Sequence, residues 1–167
     1  MNPQEYIDQA VSRLESEGNE VSQISLESGP ATAAFRSVFR TRWLTKFDLF
    51  TVLAGCPDAS EPTISTLASE ALEYAIRNRS RLFGMRNATA LTVFPVLVAS
   101  NVNDDAKSYA LARPAKLAGA FTFPAIVDLA GNETYSYTGK VVWGSLYAKW
   151  QREQLSSTLG PPMRSKP

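Results

Sequence analysis

The sequence predicts an α+β fold: a single domain with one mostly antiparallel or mixed sheet of about six strands and helices packed on it, in the order α-β-β-β-α-β-(α)-β-β-α. Three observations predict it. Two apolar runs, one from Leu91 to Ala99 and one from Ala120 to Val127, are short and rich in β-branched and aromatic residues, so both read as largely buried strands. They echo each other, Phe94-Pro95-Val96-Leu97-Val98 matching Phe123-Pro124-Ala125-Ile126-Val127 in character. Between residues 61 and 78, Ile64, Leu67, Ala68, Ala71, Leu72, Ala75 and Ile76 recur at helical spacing. Residues 33–43 alternate instead, with Phe35, Phe39 and Trp43 on one side and Arg36, Arg40 and Arg42 on the other, Val38 among them.

The elements follow in order. Asn2 caps a first helix with Pro3 at its first position and Glu5 closing a capping box. Tyr6, Ile7, Ala10, Val11 and Leu14 form its apolar face, and Gly18-Asn19 ends it. A weak strand over residues 21–26 leads to a turn at Ser28-Gly29-Pro30 and then to the arginine-bearing strand. Residues 46–54 are apolar on both faces, as a central strand requires, and Gly55-Cys56-Pro57-Asp58 reads as the turn into the second helix. The fourth strand spans residues 91–100, where Pro95 argues for an edge, a bulge or the first part of the strand. A short helix over residues 104–112 starts behind Asn103 and ends at Arg113-Pro114. A fifth strand over residues 121–130 follows, either as a parallel crossover or as an antiparallel return. Gly131-Asn132 is a two-residue hairpin turn to a sixth strand, residues 133–138. Trp143, Leu146, Tyr147 and Trp150 mark a last helix. Residues 1–155 are the domain and residues 156–167 a C-terminal tail.

Composition removes whole classes of chemistry. There are no histidines and one cysteine, Cys56, so the chain can build neither a Ser-His-Asp nor a Cys-His site, nor a histidine or thiolate zinc cage. The lone cysteine forms no intrachain disulfide, the N-terminus lacks the basic start and apolar stretch of a signal peptide, and no apolar run nears the length of a membrane span. These features point to a cytoplasmic protein. With 17 basic and 16 acidic residues, only local patches can argue for nucleic acid. The glycines are isolated from one another, so no phosphate loop or dinucleotide fingerprint is present and no cofactor is expected.

Three constellations remain. Asp58 with Asp105 and Lys107 supplies carboxylates and a lysine that could hold a hard cation and steady an attacking water, although acids in a first turn also simply stabilise a helix. Asp128 and Glu133 flank the predicted hairpin as diagonal neighbours, a spacing open both to a cation and to solvated strand ends. Arg36, Arg40 and Arg42 on a strand, with Arg77, Arg79 and Arg81 after the second helix, are candidate anion or nucleic-acid contacts or a solvated face. Cys56 has no histidine to activate it and reads as a small, partly buried residue.

The order α-β-β-β-α-β, with Pro57-Asp58 and Asp105-Ala106-Lys107, resembles the restriction-endonuclease-like family. That resemblance implies a divalent-metal-dependent phosphodiesterase or nucleic-acid binder. Here the letters fall in a turn and in a helix rather than on the second and third strands, and the second strand carries arginines where the family carries a carboxylate. The order helix, three strands, helix, two strands, helix also resembles the secretion-chaperone-like fold, whose members dimerise and bind other proteins, although those chaperones are acidic and this chain is not. The expected function is that of a non-enzymatic domain working through protein–protein interaction as a homodimer, with the nuclease as the alternative. The expected partners are a second copy and an unidentified protein, with no membrane.

Overall fold

The structure is a computed structural model, and it describes residues 1–41, 44–79, 90–114, 116–117, 120–139 and 145–160. Helix α1 (Pro3–Ser16) begins with the predicted capping box: the Asn2 side chain accepts the Glu5 N–H at 2.9 Å, and the Glu5 carboxylate accepts the Asn2 N–H at 3.0 Å. Strands β1 (Glu20–Leu26) and β2 (Gly29–Arg40) form an antiparallel hairpin. Its turn is Glu27-Ser28, one residue earlier than expected, because Gly29 at φ 138° enters β2 already paired with Leu26.

Strand β3 (Thr45–Ala59) is central, antiparallel to β2 and parallel to β4 (Ala90–Val102) across helix α2 (Glu61–Asn78). The predicted turn at Gly55-Cys56-Pro57-Asp58 is instead the end of β3. Gly55, Cys56 and Asp58 pair with Val98, Ala99 and Asn101, and Pro57, which has no N–H to give, falls where the ladder skips. Helix α3 (Asp104–Leu111) then leads through β5 (Lys116–Leu117), which the sequence did not announce, to β6 (Ala120–Thr122) and β7 (Ala125–Asp128), both parallel to β4. Strand β8 (Glu133–Ser136) returns antiparallel to β7. The sheet order is β1-β2-β3-β4-β6-β5, with β7 and β8 continuing beside the other half of β4. The fifth strand is thus a parallel crossover and is split in two.

The split explains the repeated Phe-Pro. Val93 pairs with Thr122 and Val96 with Ala125, so Phe94-Pro95 lies beside Phe123-Pro124. The carbonyls of Val93 and Ala99 accept from Phe123 and Leu129, so residues of that parity on β4 face β6 and β7. Pro95 shares the parity, and its missing N–H therefore points at the gap where β6 and β7 are interrupted. A proline is tolerated in this central strand because its missing donor falls where the neighbouring ladder is interrupted. The rings of Phe94 and Phe123 pack at 6.0 Å.

Both faces of the sheet are covered. Tyr6, Ile7 and Leu14 of α1 and Trp150, Leu155 and Leu159 of α4 (Ser145–Leu159) meet Phe47, Leu49, Val96 and Val127 on one face. Ile64, Leu67, Ala71 and Ala75 of α2 and Ala106 and Ala110 of α3 meet Phe50, Val52, Leu91 and Leu97 on the other. Alternation along β3 and β4 feeds both cores. Trp150 is buried as the last helix requires; Trp143 lies outside the described residues. The start of the tail at residue 156 is corrected: α4 continues to Leu159, which is 3% exposed, and the Leu159 carbonyl accepts from the Tyr6 hydroxyl at 2.6 Å and from Arg13 at 3.1 Å. No helix among the described residues is long and apolar enough to cross a membrane.

Candidate functional site

Parallel strands β3, β4 and β7 end together, and this end of the sheet collects both carboxylate constellations. Here β3 runs into α2, and β4 into α3, whose Asn103 N–H bonds back to the Ala59 carbonyl at 3.0 Å. Asp58, on β3, accepts from the Asn101 amide at 3.1 Å. Asp105 accepts the Glu61 N–H at 3.2 Å and the Ala106 N–H at 2.7 Å, so it caps the first turn of α2 from a neighbouring helix. Ser60, at the N-cap of α2, makes no side-chain cap bond of its own. Lys107 lies 3.5 Å from Asp104 and 5.3 Å from the centre of the Tyr135 ring.

The hairpin geometry differs from the expectation. The loop is residues 129–132, so Asp128 and Glu133 are directly opposed rather than diagonal. Asp128 closes that loop by accepting the Gly131 N–H at 2.9 Å, and Asn132 takes φ 53°. A Cβ at residue 131 would sit 2.8 Å from the Asp128 carboxylate, so a larger residue there would displace that side chain. Glu133 accepts from the Tyr135 hydroxyl at 2.6 Å, the main reason the Tyr135 pKa is raised. Each acid of the two constellations is engaged by the protein. Among the described residues, no group of three or more acidic or cysteine side chains is placed to hold a metal ion.

The arginines divide between the two faces. Arg36 bonds the Glu17 carbonyl at the end of α1 at 2.8 Å and the Gln154 side chain of α4. Arg40 lies over the Trp150 ring at 4.9 Å. This side of β2 is therefore a seat for α1 and α4 and not an open stripe. Arg77 is exposed in the last turn of α2 and Arg79 is buried beyond it, on the opposite side of the sheet. Arg42 and Arg81 lie outside the described residues.

Two polar positions inside the molecule escaped the sequence reading. Asp48 is fully buried on β3 and accepts the Ser37 hydroxyl at 2.7 Å. The signal was a lone acid interrupting the Phe50 and Val52 face of an otherwise apolar strand. Gln151 of α4 donates to the Thr92 hydroxyl at 2.7 Å, pinning that helix to β4. Cys56 is half-buried, and burial, then the neighbouring Asp58 charge, raise its thiol pKa, which keeps it protonated and weakly nucleophilic. It borders clefts of about 480 Å³ beside α1 and about 380 Å³ beside α2.

The remaining feature is an edge. Strand β1 pairs with β2 on one side only, and among the described residues no strand pairs its other side. Its seven residues run without a bulge, and Glu20 is the only charge among them. No protein family, no curated protein and no solved structure matches the chain.

Proposed function

We propose that the chain is a non-enzymatic α+β domain that acts through protein–protein contact and self-associates as a homodimer. The observation that supports this reading is the β1 edge. An edge strand offers a row of unpaired N–H and C=O groups, and soluble proteins blunt such edges with lysine, proline, bulges or a covering segment. Strand β1 carries none of these within the described structure: Glu20-Val21-Ser22-Gln23-Ile24-Ser25-Leu26 is regular, almost uncharged and long enough to template another strand. Strand addition needs no catalytic group, which agrees with carboxylates that serve as caps and turn closures.

Sedimentation velocity over a wide concentration range tests the reading. The chain is expected to sediment at twice its mass at the higher concentrations. The Ser22→Lys/Ser25→Lys pair, at exposed positions, is expected to keep the fold and shift the protein to monomer. A chain that stays monomeric throughout sinks the homodimer.

A further inference from the structure

Resting on the self-association proposed above, we infer that the partner of β1 is the β1 strand of a second copy, antiparallel to it, with the two-fold axis passing between the two Gln23 residues. An exact two-fold between neighbouring antiparallel strands runs perpendicular to the sheet, leaves each face on its own side and sets one residue opposite its own copy. Centred on Gln23, the pairing uses every residue of β1, from Glu20 against Leu26 to Leu26 against Glu20. Moving the axis to Ser22 or Ile24 carries residues of the pairing off one end of the strand, into Gly18-Asn19 or into the Glu27-Ser28 turn.

Side-chain chemistry favours the same centre. Centred on Gln23, as with an axis at Ser22 or Ile24, the single charge, Glu20, does not meet its own copy. Val21 meets Ser25 on the face that carries α1, and Ser22 meets Ile24 on the face that carries α2. The residue on the axis is an amide, whose donor and acceptor complement those of its copy. Gln23 is exposed and makes one long bond, accepting the Thr32 hydroxyl at 3.2 Å, so its amide N–H groups are available to a partner. The dimer would hold one continuous sheet running from one copy into the other, with α1 and α4 of both copies on one face.

The test is a disulfide at the axis. Directly opposed strand residues have Cβ atoms about 4.5–5.5 Å apart, within small adjustments of disulfide geometry. In a Cys56→Ser background, Gln23→Cys under mild oxidation is expected to move most of the chain to twice its mass on non-reducing electrophoresis. Ser25→Cys in the same background is expected to crosslink at least several-fold less, because its opposite residue is Val21. A protein that sediments as a dimer but crosslinks equally or better through Ser25→Cys overturns the register and leaves self-association standing. A protein that is monomeric by sedimentation and crosslinks at neither position overturns both.

Discussion

Tyr6 shows how a single side chain ties the ends of the molecule together. It sits in the first turns of α1, is 3% exposed, and donates its hydroxyl to the Leu159 carbonyl 153 positions away at 2.6 Å. Burial, partly offset by the Arg13 charge, raises its pKa above the ordinary 10.0. The unfolded chain therefore loses the Tyr6 proton at lower pH than the folded one. Its contribution is complete below about pH 10 and declines as pH rises through the higher folded value. Resistance of the wild type to urea should fall as pH rises above about 10. Tyr6→Phe should be less stable at neutral pH by about 1 kcal/mol, from the lost hydrogen bond, and should show a smaller alkaline decline. An unchanged alkaline slope would remove Tyr6 as the titrating group. At this scale the sequence was partly legible. The capping box at Asn2 and Glu5 was visible because it closes over three positions. The role of Tyr6 was not, because its partner lies at the far end of the chain.

At the scale of elements, periodicity was a sound guide wherever packing and local pattern agree. Helix α2 runs where its apolar repeat places it, and β3 is central as its two apolar faces require. The misreadings fall where a neighbour decides. Gly55-Cys56-Pro57-Asp58 has turn chemistry but pairs with β4, and Pro95 has edge chemistry but lies in a central strand, level with Pro124. The end of α4 is the third case. Residues 156–159 look like a polar tail, yet Leu155 and Leu159 bury against the α1 face of the sheet. Leu159→Ala should cost about 2–5 kcal/mol in chemical denaturation, the usual range for a buried leucine. A loss below about 0.5 kcal/mol, typical of surface sites, would mean the last turn of α4 is not part of the core.

For the whole molecule, the topology places the candidate acids at one end of the sheet and splits the arginines between its faces. Metal-dependent phosphodiester chemistry needs carboxylates converging on one point, and phosphate-backbone binding needs a continuous cationic surface. Asp58, Asp105, Asp128 and Glu133 each hold a hydrogen bond of the protein, and Arg36 and Arg40 are packed against α1 and α4. Fluorescence anisotropy of labelled single- and double-stranded oligonucleotides at low salt, with and without Mg²⁺, is expected to show no binding. Binding that falls steeply with salt would return the arginines to a functional role, and Mg²⁺-dependent cleavage lost in Asp58→Ala or Asp105→Ala would establish the nuclease.

The sequence by itself determined the class of the fold, the order of its helices and main strands, the central place of β3, and the chemistry that no-histidine, one-cysteine composition rules out. Those properties depend on composition and on periods of two and 3.6 residues, which neighbours along the chain share. Only the tertiary structure decided that β3, β4 and β7 run parallel, that the two Phe-Pro pairs lie side by side, that Asp105 caps a different helix from its own, and that among the described residues no strand pairs the outer side of β1. Each of these is a contact between residues distant in sequence, and such contacts are selected by the simultaneous burial of both faces of the sheet rather than by any local preference.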